Sequence, residues 1–180
     1  ISDFKRIMED GLYFVDKSLL IKEILDKKID TFLLPRPRRF GKTINLTMLR
    51  WFFELAENKE DKNARRKLFS GLEIERKSVF EEHFAKYPVI YMTFKDIGNN
   101  NFEAASIKIK ALIADEFRRH KYLLQSDVLD ESEKTDFNNI ILREAEPAIY
   151  ESSLKSLTKY LHKYHKQKPV VLIDEYDTPI

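Results

Sequence analysis

The chain has 180 residues, a formal net charge of +2 and no cysteine. Its length suits one domain with a substantial core, and the missing thiols exclude both a disulfide framework and a thiolate zinc site. Hydrophobic residues make up 43% and charged residues 34%, a balance typical of globular rather than disordered chains. No apolar run approaches the roughly 20 residues that a membrane helix needs. A cytoplasmic location without membrane contact is therefore expected.

The first predicted elements lie before and after a cationic stretch of eight residues, 36–43. Asp16 offers a helix cap, and the spacing of the apolar residues that follow it predicts a helix up to residue 25. The apolar run 31–34 predicts a strand, and residues 43–56 predict a second helix. The octet 36–43, Arg-Pro-Arg-Arg-Phe-Gly-Lys-Thr, lies between this strand and this helix.

The rest of the chain predicts further helices and two more strands. Residues 58–66 form a charged connector into a short helix that Gly71 would end. Residues 88–94 and 169–175 are rich in β-branched, aromatic or aliphatic side chains and predict strands. Helices are predicted at 74–84, 102–124, 132–144 and 147–164.

The octet contains the residues that a phosphate-binding loop needs. A small residue such as Gly41 lets the backbone approach a phosphate so that several N–H groups point at it. Lys42 would reach the outer phosphates, and the hydroxyl of Thr43 would help to hold Mg²⁺. The positive end of the following helix would face the same anion. The usual pattern begins with Gly, whereas this chain has Arg36; for the Gly-Lys-Thr tripeptide alone, a surface turn is the competing interpretation.

Strand 169–175 ends in two carboxylates. Its continuous apolar run predicts a strand that is buried on both faces, as in a parallel sheet. Asp174 would hold Mg²⁺, and Glu175 would orient or deprotonate the attacking water. An edge strand that runs into an acidic turn is the alternative. Both motifs occur in the expected order, which favours a nucleotide site.

Four stretches of the chain resemble the predicted AAA-ATPase-like domain family, whose P-loop modules are found mostly in bacteria: residues 11–18, 36–43, 87–96 and 172–180. The resemblance implies an α/β fold of the P-loop NTPase type, with three αβα layers and a mostly parallel sheet. It also implies ATP and Mg²⁺ as cofactors. Members commonly carry a C-terminal nuclease-like domain of the PD-(D/E)XK type, through which nucleic acid would be a partner.

Residues 1–180 would then be the N-terminal part of such a domain, without the sensor strand, arginine finger or lid. A sheet that lacks a central strand leaves internal edges unpaired. Neighbouring chains in a homo-oligomer, or a different strand order, are expected to cover these edges.

The resemblance and the motifs together assign the candidate site. The nucleotide-binding residues are Arg38, Arg39, Phe40, Gly41, Lys42, Thr43 and Ile44; the catalytic residues are Lys42 and Glu175; the metal ligands are Thr43 and Asp174. The expected function is ATP binding and Mg²⁺-dependent hydrolysis, as a regulatory switch of a larger protein. The alternative is a weak or inactive module in which the arginine cluster binds nucleic acid or a protein. For Arg38 and Arg39, phosphate contact and structural ion pairing stay equally open.

Two further segments allow more than one interpretation. Residues 15–17 would border the base-binding pocket, or would form a helix cap beside packed Tyr13 and Phe14. The cations at 118–121 would match the negative end of a helix dipole, or would contact nucleic acid. His162 and His165 have cationic neighbours, which disfavours a metal site and indicates a solvated helix face.

Overall fold

The computed structural model describes residues 3–27, 30–35, 40–95, 97 and 101–176. The chain divides into two compact units, residues 1–89 and residues 90–180. Helices and a two-stranded parallel sheet occur together, which is compatible with the predicted α/β class. The assignment of residues 1–180 to one ATPase-like domain stays a prediction.

Unit 1 is built from helices. They are α1 (Phe4–Glu9), α2 (Leu19–Lys27), α3 (Lys42–Phe53), α4 (Lys59–Lys67) and α5 (Ser78–His83), with a 3₁₀ segment at Glu73–Arg76. The core of the unit contains a cluster of phenylalanine rings, in which Phe52 of α3 contacts four others at centroid distances of 5.0–5.7 Å. Such edge-to-face contacts are favoured by the ring quadrupoles, and they fix α3 in the unit.

The predicted strand 31–34 is wrong, because residues 30–35 adopt no strand. Strands need hydrogen-bonded neighbours, and the described sheet consists of residues 89–93 and 170–174 alone. Phe32 instead lies under the Lys27 ammonium group at 5.0 Å, and Leu33 is exposed.

The single helix predicted at 74–84 is replaced by the 3₁₀ segment and α5, with an extended Lys77 between them. The backbone N–H groups of Glu73 and Ile74 donate to Asp16 and Ser18, at 2.8 and 3.1 Å. These long-range caps begin the 3₁₀ segment at a point that local periodicity does not indicate.

Unit 2 contains the sheet and the longer helices. The strands are β1 (Val89–Thr93), which begins at the junction of the units, and β2 (Val170–Asp174); the helices are α6 (Phe102–Arg119), α7 (Glu131–Leu142) and α8 (Pro147–His165), with a 3₁₀ segment at Lys121–Gln125. Phe117, Phe137, Leu157 and Leu161 pack into a buried core together with Met92 of β1. The predicted strands and helices of this unit are confirmed, except that α6 ends at Arg119 and a 3₁₀ segment follows it.

The expectation that the acidic strand is buried on both faces is wrong. Leu172 and Asp174 are buried, but Val171 and Ile173 are 42% and 39% exposed. Side chains alternate between the two faces of a strand, so one face of β2 is covered and the other is open. Among the described strands β2 pairs only with β1.

Candidate functional site

The described part of the octet, residues 40–43, leads through a left-handed glycine into the start of α3. Gly41 is left-handed, with φ 72° and ψ 25°, and α3 begins at the next residue, Lys42. No side chain of a described residue caps the helix start. The backbone N–H of Asn45 donates to the Gly41 carbonyl at 2.9 Å. The N–H groups of Lys42, Thr43 and Ile44 form the positive end of α3, and no described residue accepts a hydrogen bond from them.

Phe40 is exposed beside this helix start. Arg38 and Arg39 lie outside the described residues, as do the rest of residues 36–39. Their assignment to phosphate contact therefore stays a prediction.

The helix behind the loop is fixed by a buried hydroxyl that the sequence analysis missed. Thr47 lies one turn into α3, where its Oγ donates to the Ile44 carbonyl at 3.0 Å and accepts the Phe4 N–H at 2.9 Å. These bonds tie the first residue of α1 to the first turn of α3. A polar residue among the apolar positions of a helix is the only sequence signal of this role.

In unit 2, Asp174 ends β2 as a buried carboxylate with one unpaired oxygen. Its side chain is 4% exposed, and Oδ2 has no hydrogen-bond partner among the described residues. The strand end itself is fixed, because the Phe94 N–H donates to the Asp174 carbonyl at 3.0 Å. An unpaired buried carboxylate oxygen is costly, whereas a hard divalent cation would satisfy it.

Glu175 has a strained backbone, with φ 50°. The other described non-glycine residues with positive φ are Ala85, Arg143 and Lys166, which all lie at helix ends. The left-handed conformation is common there. Glu175 instead directly follows a strand, and strain of this kind collects at functional sites.

The structure therefore divides the candidate residues between the units. Unit 1 brings together Gly41, Lys42 and Thr43 at one helix start, and unit 2 places Asp174 and Glu175 at one strand end.

The segment upstream of the loop supports the helix-cap interpretation. Asp16 accepts the Ser18 N–H at 2.8 Å as well as the Glu73 N–H. Burial opposes the ionisation of Asp16, but the hydrogen bonds from Glu73 and Ser18 outweigh it and hold its pKa below the ordinary value. Phe14 packs as expected, but Tyr13 is 92% exposed, so the prediction that Tyr13 is packed is wrong.

A left-handed glycine before a helix-starting lysine, and a parallel strand that ends in a buried aspartate, are typical of ATPase-like α/β proteins. The sequence model of the predicted AAA-ATPase family matches residues 1–180, and the chain belongs to this family. None of the curated proteins and none of the solved structures compared with the chain matches it significantly. In the part of the chain that the structure describes, no helix is long and apolar enough to cross a membrane.

Proposed function

We propose that the chain binds ATP and forms part of a Mg²⁺-dependent ATPase, which acts as a regulatory switch in a larger bacterial protein. The observation that carries the proposal is the buried, unpaired Oδ2 of Asp174 next to the strained Glu175. A purely structural acidic turn needs neither feature, since its carboxylates are solvated or paired.

On the phosphate side, the open N–H groups at the start of α3 receive the β- and γ-phosphate oxygens. The Lys42 ammonium group neutralises their charge, and the forked guanidinium groups of Arg38 and Arg39 add donors. Gly41 and Phe40 shape the loop, and Ile44 supplies a backbone N–H. Positioning and charge neutralisation account for most catalysis in phosphoryl transfer.

The donor set fits Mg²⁺, which prefers carboxylate and hydroxyl oxygens. In this proposal Thr43 Oγ and Asp174 Oδ2 are the protein ligands. Bound Mg²⁺ supplies charge neutralisation of the phosphate oxygens. Glu175 orients a water molecule and accepts its proton.

The parallel pairing of β1 and β2 supports a sheet of the P-loop type. We propose that the chain contributes these strands to a three-layer αβα domain. The nuclease-like domain and the homo-oligomer stay predictions from the resemblance and from the unpaired edges.

Hydrolysis tests the proposal directly. Phosphate release from ATP should require Mg²⁺ and should be lost in Glu175→Gln, which keeps the shape of the side chain but cannot accept a proton. The same variant should bind a fluorescent ATP analogue as the wild type does. Lys59→Ala, which removes an exposed cation of α4, is the matched surface control and should hydrolyse normally. Unchanged hydrolysis in Glu175→Gln would contradict the assigned role.

A further inference from the structure

Unit 2 exposes a group of aromatic rings, in tilted and edge-to-face contact with one another, that the proposed ATPase activity does not use. Tyr122 and Tyr164 are 37% and 44% exposed, and their ring centroids lie 5.3 Å apart. The His165 ring lies 4.8 Å from Tyr164 and 5.7 Å from Tyr122. These three rings are called the tyrosine platform below.

A hydrogen-bond network that runs from the surface to the buried Glu116 holds two rings of the platform, Tyr122 and His165, in place. The Tyr122 hydroxyl is bonded to His165 Nε2 at 2.7 Å and to His120 Nδ1 at 3.4 Å. The other ring nitrogen of His120 is bonded to the buried carboxylate of Glu116 at 3.3 Å, which also accepts the Tyr91 N–H of β1 at 3.1 Å. The exposed Tyr122 ring is thereby tied to α6, α8 and β1. Ligand binding to it would cost little ordering entropy.

The platform is bordered by cations. Residues 118–122 and 159–168 contain seven Lys and Arg residues and no Asp or Glu, so the remainder of the chain is net negative. Four of these cations form ion pairs with three carboxylates: Arg118 with Asp115, Arg119 with Glu116, and both Lys159 and Lys163 with Glu133.

Lys121, Lys166 and Lys168 are exposed and make no ion pair with a described residue. The helix dipole accounts for cations in the last turns of α6 and α8. These three lysines lie beyond those turns. The helix dipole also gives no reason for the exposure of Tyr122 and Tyr164 near them in the sequence.

We propose that this face of unit 2 binds single-stranded nucleic acid. Unstacked bases lie on the tyrosine platform, and the phosphates contact Lys121, Lys166 and Lys168. Sequence-tolerant binders of single strands combine aromatic rings with a cationic surface in this way. Duplex DNA or RNA keeps its bases stacked on one another, and an acidic peptide or an anionic membrane presents no planar faces to two tyrosines.

The test titrates a fluorescently labelled single strand of about 12 nucleotides with the whole chain and measures its fluorescence anisotropy. Tyr164→Leu should weaken binding about tenfold, because a base loses its stacking partner. Tyr164→Phe keeps the ring and should bind like the wild type. Tyr164 makes no hydrogen bond in the network described above, so both variants should fold, which their thermal unfolding checks.

A triple variant tests the charge contribution. Lys121→Gln, Lys166→Gln and Lys168→Gln together should reduce the slope of log K against log salt by about 2, since each contact to a single strand contributes about 0.7. The matched control removes three exposed lysines of α4 in unit 1, Lys59, Lys62 and Lys67, and should leave the slope unchanged.

The proposal would be overturned by no binding of the oligonucleotide to the wild type or by wild-type affinity in Tyr164→Leu. It would also be overturned by an equal decrease of the salt slope in the two triple lysine variants. Equal binding of a polyglutamate peptide or of anionic vesicles, insensitive to Tyr164→Leu, would show only a non-specific cationic surface and would also overturn it. The anisotropy is measured without ATP and Mg²⁺, so that a failure of the ATPase proposal leaves this test independent.

Discussion

At the scale of single residues, Glu175 provides the sharpest test of strain at the candidate site. Its φ of 50° places a Cβ atom where L-residues are disfavoured. Glu175→Gly should raise the free energy of unfolding by about 0.5–1 kcal/mol relative to Glu175→Ala, because glycine relieves the strain and alanine keeps it. Both variants should lose hydrolysis.

Denaturant unfolding and phosphate release measure the two effects on the same samples. Equal stability of the two variants would show that the position is not strained. Higher stability of Glu175→Gly, together with loss of its hydrolysis, would be the signature of backbone strain that is kept for function.

Thr47 is the residue that holds the start of α3 in position. Thr47→Val keeps the shape of the side chain but leaves the buried Phe4 N–H without an acceptor, at a cost of about 1–3 kcal/mol. Thr47→Ser restores the hydroxyl and should recover most of that loss. Urea denaturation checks both variants; wild-type stability in Thr47→Val would remove the assigned link between α1 and α3.

Glu116 should make the stability of the chain depend on pH. Burial opposes its ionisation, but the hydrogen bond from His120 and the charges of Arg119 and His120 outweigh that cost, and its pKa lies below the ordinary value. The folded state therefore favours the carboxylate. Its contribution is present above the ordinary glutamate pKa of about 4.3 and is lost as the pH falls through the lowered pKa.

The stability difference between the wild type and Glu116→Gln should therefore shrink as the pH falls below about 4.3. Urea unfolding at a series of pH values measures it. A difference that stays constant over the acidic range would contradict the assigned environment of Glu116.

At the scale of elements, α3 connects the predicted phosphate loop to the phenylalanine cluster. Phe52→Ala should cost about 3–5 kcal/mol, because its ring contacts four others and its loss leaves a cavity. Tyr13→Ala removes an almost fully exposed ring of the same unit and should stay within about 0.5 kcal/mol of the wild type. Similar losses in the two variants would contradict the described core.

Sequence periodicity predicted the elements that carry their own pattern. It located α3, β1, β2 and the long helices, since a helix with an apolar face and a strand with β-branched residues need little outside information. It failed at residues 31–34, because a strand also needs a neighbour to pair with. It also failed to predict the interruption at Lys77 of the helix expected over residues 74–84. The 3₁₀ segment before Lys77 begins where Asp16 and Ser18 accept its first N–H groups, and these two residues are distant in sequence.

The exposed face of β2 shows the same limit. A run of Val, Leu and Ile predicts burial but does not show how many layers cover the strand. Whether a face is covered depends on elements distant in sequence, and here Val171 and Ile173 are exposed.

At the scale of the whole molecule, the candidate site divides between two compact units. Lys42 and Thr43 belong to unit 1, and Asp174 and Glu175 belong to unit 2. The sequence located both motifs, because spacing and residue type define them. It did not predict the unpaired Oδ2 of Asp174 or the strain at Glu175, because packing and pairing of the folded chain determine both.

The most direct test of nucleotide binding is the Mg²⁺-dependent titration of this chain with a fluorescent ATP analogue. The account predicts saturable binding that is lost in Lys42→Ala and retained in Lys59→Ala, and a weaker Mg²⁺ dependence in Asp174→Asn. Competition by unlabelled ATP and GTP would rank the bases. Absence of binding, or equal binding by Lys42→Ala, would contradict the assignment of the loop at Gly41, Lys42 and Thr43 as a nucleotide site.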